Sequence, residues 1–249
     1  MKNLKRNIIY LILIIILLIV WEYQSKQSNT FRLLLSSPSL IWDYFQNEID
    51  ILTKATLITF VEALAGLLIA TIFSFLTIIL CFFNKRLMDY VLPIMIFSQV
   101  IPLITLAPLF IIAFGVGLKS KIMMAALICF FPIFVNFNNG VKLIDKNIHE
   151  MMYIYGASTI QKIKHLYFPL ALPNIMAGLK IATTLSVIGA IVAEFNGADI
   201  GLGKNLFLAA KRLEPELMMT SLILSSILGG LLFISIVLIE KKIGKWYTK

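Results

Sequence analysis

Long apolar runs alternate with short polar segments along the whole chain. The six longest runs cover residues 8–21, 55–83, 90–118, 122–141, 173–193 and 217–239. Five of the six contain 20 or more residues, and a helix of about 20 residues crosses the hydrocarbon core of a bilayer. Transmembrane barrel strands would instead show segments of about ten residues with alternating polarity. The pattern therefore predicts an all-α integral membrane protein with about six transmembrane helices.

The first run is shorter than the others and follows Lys2, Lys5 and Arg6, an arrangement that also suits a secretory signal. Such a signal is cut after small residues, but no alanine occurs before Ala55. We therefore expect residues 8–21 to form a retained first helix.

The polar connection at residues 22–54 carries helix signals of its own. Ser37 followed by Pro38 is typical of a helix start. Apolar residues recur at helical spacing at Ile41, Phe45, Ile49 and Leu52. The segment is either a short amphipathic helix along the outer surface or a connector packed on other helices. It completes an N-terminal region, residues 1–54, that precedes a membrane core at residues 55–249.

Composition and charge refine this picture. Of the 249 residues, 59% are apolar and only 14% are charged, against about 25% charged residues in soluble domains. The formal charge is +9, but the basic residues lie in short loops rather than on one solvated face, so we expect no nucleic-acid partner. With a cytoplasmic N-terminus, thirteen of the 22 Lys and Arg residues fall inside and eight outside. The positive-inside rule therefore predicts that both termini are cytoplasmic.

Cysteine and histidine do not suggest a metal or redox site. Cys81 and Cys129 lie inside apolar runs, where cysteine usually acts as a small packing residue. His149 and His165 lack Cys or carboxylate partners at a zinc-binding spacing. We expect no metal and no resident cofactor in this chain.

The polar segment at residues 142–172 differs from a passive connector because it predicts two short helices. Apolar residues recur at helical spacing at Ile148, Met151, Met152, Tyr155, Ile160, Ile163 and Leu166. Between the two groups, Gly156 permits a break and Ser158 can cap a second helix. Such a stripe either docks a cytosolic partner by helix-in-groove packing or packs on the ends of the chain's own helices.

The stretch EMMYIYGASTIQKIKHLYFPLALP at residues 150–173 resembles the EAA loop of permease subunits in binding-protein-dependent ABC importers. The matching positions are Glu150, Gly156, Ala157, Ser158, Pro169 and Pro173. Two methionines replace the usual alanines at 151–152, and Phe168 stands where leucine is usual. A further likeness, to permeases of nitrate, sulfonate and taurine importers, runs through NIMAGLKIATTLSVIGAIVAEFNGADIGLG at residues 174–203.

This resemblance implies the type I permease architecture and a division of labour among subunits. A cytosolic ABC ATPase dimer would bind the ATP, in agreement with a sequence that lacks a GxxxxGK[ST] phosphate-binding loop. An external substrate-binding protein or lipoprotein would deliver a small polar or anionic nutrient of the nitrate, sulfonate, taurine or thiamine-precursor pyrimidine type. The chain would be a non-enzymatic pathway subunit of the bacterial plasma membrane, paired with a second copy of itself.

The candidate site residues follow from this resemblance and from the polar groups of the apolar spans. The resemblance assigns ATPase coupling to Glu150, Gly156, Ala157, Ile160 and Lys164. Polar groups are costly in lipid, so we expect a pathway to be lined by Gln99, Asn136, Glu194 and Asn196. Glu194 lies near the outer end of its span and is expected to reach water. Lys180 lies where its ammonium group can snorkel to the inner interface.

Two rival classes stay open at the level of sequence. A membrane-embedded enzyme would need paired carboxylates, a nucleophile or a metal cluster, and the 13 acidic residues are scattered. An ATP-independent channel or secondary transporter is the alternative function, although no clear inverted repeat is visible. The 142–172 segment favours the ATP-driven importer.

Overall fold

The computed structural model of the protein describes residues 2–27, 35–195 and 197–244, and within these ranges the chain is helical and contains no strand. In chain order the elements are α1 (Lys2–Gln27), α2 (Pro38–Asn47), α3 (Ile49–Phe83), α4 (Lys85–Ser98), α5 (Leu103–Phe114), α6 (Leu118–Lys142), α7 (Lys146–Ile154), α8 (Thr159–Lys162), a π-helix (Ile163–Tyr167), α9 (Phe168–Glu194), α10 (Leu202–Arg212) and α11 (Pro215–Gly244). The all-α prediction is confirmed.

Among the described residues, four helices are long and apolar enough to cross a membrane. They are α3, α6, the continuous helix Thr159–Glu194 formed by α8, the π-helix and α9, and α11. Four of the six predicted spans lie within them. The first predicted span, residues 8–21, lies inside α1. Six crossings and cytoplasmic termini stay predictions.

The third predicted span, residues 90–118, is divided into two shorter helices. The helix α4 ends at Ser98 and α5 begins at Leu103, directly after Pro102. Proline has no N–H for the helical ladder and its ring crowds the preceding turn, so the break at this position has a local cause. A second proline, Pro108, lies inside α5, which ends at Gly115 with φ +82°. The prolines and glycines of residues 90–118 therefore interrupt and end this apolar run, as their positions in the sequence indicate.

The central helix of the fold is α6, which lies between α3 and α9. Glycines bring the backbones close: a Cβ at Gly66 of α3 would lie 2.6 Å from Ala125 Cβ, and one at Gly178 of α9 would lie 2.8 Å from the Pro132 carbonyl oxygen. Small residues at helix crossings allow this close packing in membranes. The order of the contacts shows that α3 runs parallel to α6 and that α9 runs antiparallel to it.

The short helix α2 packs on this core rather than lying free. Ser37 caps its first turn by accepting a hydrogen bond from the Leu40 N–H at 3.4 Å, as the sequence predicted. Ile41 is buried, whereas Trp42 is exposed. On its inner face, Tyr44 and Phe45 pack against a cluster formed by Leu52, Ala209 and Leu217. The connector interpretation of residues 22–54 therefore describes α2 better than a surface helix does.

The last helix, α11, covers one side of the core. Leu228 and Leu232 pack in a cluster with Ala55, Ala63 and Val187. Nearer its end, Glu240 forms an ion pair with Lys180 at 3.0 Å. Lys180 thus reaches a partner on a neighbouring helix, instead of extending alone to the interface as expected.

Candidate functional site

The antiparallel pair formed by α6 and the continuous helix Thr159–Glu194 has two chemically different ends. At one end, residues 143–158 join the two helices, so the predicted 142–172 loop includes the first turns of the second helix. At the other end, Lys121 near the start of α6 lies close to Glu194 at the end of α9 through their shared neighbour Glu62. Each end is built by a different kind of interaction.

Local capping bonds shape the 142–172 loop. The Asp145 carboxylate accepts a hydrogen bond from the Asn147 N–H at 2.9 Å and starts α7. Gly156 then reverses the chain with φ +65°, a left-handed conformation that favours glycine. Ser158 and Gln161 form a reciprocal capping box that starts α8, with bonds of 3.3 and 2.8 Å. The break and the cap predicted from the sequence are both confirmed.

The loop presents a patch of exposed apolar side chains. Its members are Tyr153, Ile154, Tyr155 and Ile160, with exposed fractions from 67 to 82%. Large apolar side chains gathered outside a helical core commonly mark a contact surface for another protein. Other members of the apolar stripe point inward: Leu166 is buried, and Ile148 and Met152 are half-buried. Part of the stripe therefore packs on the chain's own helices, and docking of a partner on its exposed part stays a prediction.

The five residues assigned to ATPase coupling all lie on or beside this patch along the chain. Glu150, Gly156, Ile160 and Lys164 are exposed, and Ala157 is half-buried. None of these five residues is fully buried. The structure is thus compatible with their assigned role, which stays a prediction.

Aromatic contacts hold the loop against the end of α3. The rings of Tyr167 and Phe82 stack with centroids 4.4 Å apart and an interplanar angle of 4°. The Tyr167 hydroxyl also forms a hydrogen bond of 3.3 Å with His149 Nδ1. A groove of about 580 Å³ opens beside them, and it is lined in part by Lys146 and Glu150. His149 is therefore a packed histidine, as expected.

The π-helix Ile163–Tyr167 joins the loop to the membrane core without ending the helix. π-turns inside α-helices are rare and are frequent at functional sites. Together α8, the π-helix and α9 form one helix of 36 residues, about 54 Å long at 1.5 Å per residue. One continuous helix, which includes Pro169 and Pro173, therefore connects the exposed patch to the opposite end of the helix pair.

At that opposite end lies a buried polar group of residues, here called the distal cluster: Thr59, Glu62, Lys121, Glu194, Leu202 and Gly203. The Thr59 hydroxyl donates to Glu194 Oε1 at 2.6 Å and accepts a hydrogen bond from the Leu202 N–H at 3.0 Å. The Gly203 N–H donates to Glu194 Oε2. Glu194 thereby ties α9 to both α3 and the start of α10.

An ion pair extends the distal cluster to α6. Lys121 Nζ lies 3.2 Å from Glu62 Oε1, and these side chains are 8 and 0% exposed. Burying a charge is costly unless it is paired. Lys121 offsets part of the cost of burying Glu62 within the apolar span of α3, although both Glu62 oxygens lack a hydrogen-bond partner among the described residues.

Two glycines let the chain close over Glu194. A Cβ at Gly201 would overlap the Glu194 carboxylate, and one at Gly203 would overlap the Ile191 carbonyl oxygen. Glu194 is therefore only 1% exposed, and the expectation that it reaches water is wrong. The chain segment after α9 covers the helix end that the sequence placed at the surface.

The residues predicted to line a pathway do not share one site. Gln99 is exposed in the break between α4 and α5. Asn136 is half-buried and donates a hydrogen bond to the Pro132 carbonyl at 2.7 Å. Glu194 belongs to the distal cluster, and Asn196 lies outside the described residues. Their role as pathway-lining residues stays a prediction.

Comparison with known proteins gives one family and several full-length relatives. The family described as "Binding-protein-dependent transport system inner membrane component" matches residues 64–245. The chain is 32% identical over 240 residues to the formylaminopyrimidine transport permease protein ThiX of Halalkalibacterium halodurans, covering 94% of both chains. It is 30% identical over 189 residues to the putative aliphatic sulfonates transport permease protein SsuC of Bacillus subtilis, covering 76% of this chain and 68% of that protein.

A solved structure shares the fold. A chain from inward-facing conformations of the MetNI methionine ABC transporter superposes with a TM-score of 0.70 at 19% identity, covering 79% of this chain and 97% of that chain. At this identity the likeness shows the fold alone.

Proposed function

The chain belongs to the family of inner membrane components of binding-protein-dependent transport systems, and we propose that its 142–172 loop couples it to a separate ATPase. As a member of this family it is a multi-pass permease subunit of an ATP-driven importer in the bacterial inner membrane. The chemistry of ATP hydrolysis belongs to another subunit. The exposed apolar patch of Tyr153, Ile154, Tyr155 and Ile160 is the observation that carries the coupling proposal.

The patch has the features that a coupling surface needs. It is apolar and exposed, so its contact with a partner removes apolar area from water. Capping bonds at both ends of the Gly156 turn fix its shape before the partner arrives, which lowers the conformational cost of binding. Lys162 lies 5.6 Å from the centre of the Tyr153 ring and adds a positive rim.

The proposal fixes an orientation for the chain. Six crossings with both termini in the cytoplasm place the 142–172 loop on the side where ATP is available. In this arrangement α4 and α5 together form a broken third crossing, and α1 forms the first. The distal cluster then lies at the outer end of the helix pair.

A second copy of the chain completes the pathway in this proposal. Apolar side chains remain uncovered along α4 and α5: Ile94, Ile96, Phe97, Val100, Ile101, Ile104, Leu109 and Ile112. A second copy packed on this face would cover these side chains. Native mass spectrometry of the complex tests the proposal, which expects two permease copies and two ATPases, together with the external binding protein.

For the cargo, we propose a small polar nutrient with a thiamine-precursor pyrimidine as the first candidate. The relative named for formylaminopyrimidine transport matches 94% of the chain, whereas the sulfonate relative matches 76%. Thermal shift of the co-purifying binding protein with formylaminopyrimidine, taurine, an alkyl sulfonate and nitrate separates these cargoes. Stabilisation by a sulfonate alone would overturn the pyrimidine assignment.

The coupling proposal is tested by charging the patch. Ile160→Asp places a carboxylate in the apolar contact, and we expect it to reduce ATPase co-purification at least about tenfold, since an unpaired buried charge costs several kcal/mol. Leu213→Asp is the matched control, because Leu213 is also a highly exposed apolar residue but lies between α10 and α11. Equal ATPase recovery with both variants would contradict the proposal.

The alternative function, an ATP-independent channel or secondary transporter, makes a different prediction. Uptake into vesicles that contain the chain without the ATPase would persist in that case. We expect uptake to stop when the ATPase is removed.

A further inference from the structure

The distal cluster lies at the opposite end of the helix pair from the coupling surface, and family membership alone assigns it no role. Its hydrogen-bonded groups are buried: Thr59 and Leu202 are 0% exposed and Glu194 is 1% exposed. They come from α3 and, 135 residues further along the chain, from the end of α9 and the start of α10, which follows it. A cluster assembled in this way fixes the mutual positions of the elements that contribute to it.

Glu194 uses its two carboxylate oxygens on two different elements. Oε1 accepts from Thr59 of α3, and Oε2 accepts from the Gly203 N–H of α10. Each oxygen of this buried side chain thus has its own hydrogen-bond donor. The same carboxylate therefore joins the end of α9 to the start of α10 and to α3.

Thr59 closes the arrangement into a ring of bonds. Its hydroxyl donates to Glu194 and accepts from the Leu202 N–H. Leu202 itself packs in the apolar cluster with Ala55 and Ala190. The start of α10 is thus held by polar bonds and by apolar burial at the same residue.

The continuous helix Thr159–Glu194 begins beside the coupling patch and ends at this ring. Ile160 is in its first turn and Glu194 is its last residue. A displacement of the patch therefore moves Glu194, and the ring passes the movement to α10. Without the ring, α10 is held to α9 by the apolar packing of Leu202 and by the chain that joins the two helices.

We propose that Glu194 and Thr59 are positioning residues of the transport cycle, forming a closed joint that makes α10 follow the helix driven by the ATPase. This inference rests on the proposed function. In the proposed orientation α10 lies on the external side of the membrane. It would there respond to the binding protein that carries substrate. Signals in both directions, from the binding protein to the ATPase and back, then depend on the same three bonds.

The test compares two substitutions at one residue in the whole complex. Thr59→Val keeps the shape of the side chain and removes its hydroxyl, whereas Thr59→Ser keeps the hydroxyl. Each complex, with the ATPase and binding protein that co-purify with the chain, is placed in nanodiscs with MgATP. The ATPase rate of each complex is measured first without the binding protein and then with it. The binding protein is used in the form in which it is purified from cells.

We expect Thr59→Val to lower the stimulated ATPase rate about fivefold, the factor that corresponds to one net hydrogen bond of about 1 kcal/mol. The unstimulated rate should stay the same, and Thr59→Ser should restore the stimulation. A purely structural role would lower both rates together. That result, or equal behaviour of the two variants, would overturn the proposal.

Hydrogen exchange on the unmodified complex provides a second measurement if Thr59→Val fails to accumulate. The amides of Leu202 and Gly203 should stay protected both without nucleotide and with MgATP and vanadate, since the joint remains closed. Exposure of these amides in either state would overturn the proposal. Absence of the ATPase from the unmodified complex would instead contradict the proposed function itself.

Discussion

The two ends of the α6 and α9 pair are built in opposite ways. The 142–172 loop is shaped by bonds between residues two or three positions apart, such as Ser158 with Gln161, and it leaves its apolar side chains exposed. The distal cluster is shaped by bonds across long stretches of chain, such as Thr59 with Glu194, and it buries its polar groups. A surface that binds an exchangeable partner needs the first construction. A joint that transmits a movement needs the second.

Breaking the buried ion pair should give the largest effect. Glu62→Ala removes the ion-pair partner of the buried Lys121, and removal of one partner of a buried pair costs about 3–5 kcal/mol. We expect loss of the protein from the membrane fraction, measured by immunoblotting and by thermal unfolding in detergent. The double variant Glu62→Gln with Lys121→Met is the control, because it removes both charges. If the single variant were as stable as the unmodified chain, the charges would not form the pair described.

A smaller effect should follow from adding one carbon to the glycine turn over Glu194. Gly203→Ala places a Cβ against the Ile191 carbonyl oxygen, and overpacking of this kind costs about 1–3 kcal/mol. The melting temperature of the purified chain measures the effect. Gly230→Ala in α11 has no atom within 4 Å of the new Cβ, so it should leave the melting temperature unchanged or raise it. Equal shifts for the two variants would refute the close fit.

The sequence predicted the loop end much better than the buried end. Gly156 and Ser158 act through their immediate neighbours, so a short stretch of sequence contains all the information for the turn and the cap. Pro102 acts in the same local way on the break before α5. Glu194 was placed in water because its partners lie in α3 and α10, and no local signal connects them. The glycines of the GLG sequence at residues 201–203, which allow the chain to approach Glu194, were the sequence signal for this contact.

In the 142–172 loop, a substitution at Gly156 should act through the backbone conformation that the new residue can adopt. The size of its side chain should matter little. No atom lies within 4 Å of a Cβ built there, while φ is +65°. Gly156→Val is therefore expected to cost about 1–2 kcal/mol through strain in the left-handed region and to uncouple ATP hydrolysis from uptake. Gly156→Asn is the matched control, since asparagine tolerates this conformation. Equal uptake per ATP hydrolysed in Gly156→Val and the unmodified chain, at equal membrane abundance, would contradict the coupling role.

The smallest effect is expected for the half-exposed pair of Lys180 and Glu240. Their side chains are 26 and 33% exposed, and partly solvated pairs contribute about 0.2–1 kcal/mol. Glu240→Gln should therefore change the melting temperature far less than Glu62→Ala does. A loss as large as that of Glu62→Ala would show that burial does not separate the two pairs.

Site-specific cross-linking tests the central claim most directly. The chain contains two cysteines, Cys81 and Cys129, and both are buried, so a cysteine introduced at residue 160 provides a single accessible thiol. In membranes that contain the complete complex, Ile160→Cys should cross-link to the ATP-binding subunit, and Leu213→Cys should not. An ATPase adduct at residue 213 and none at residue 160 would contradict the assignment of the 142–172 loop as the coupling surface.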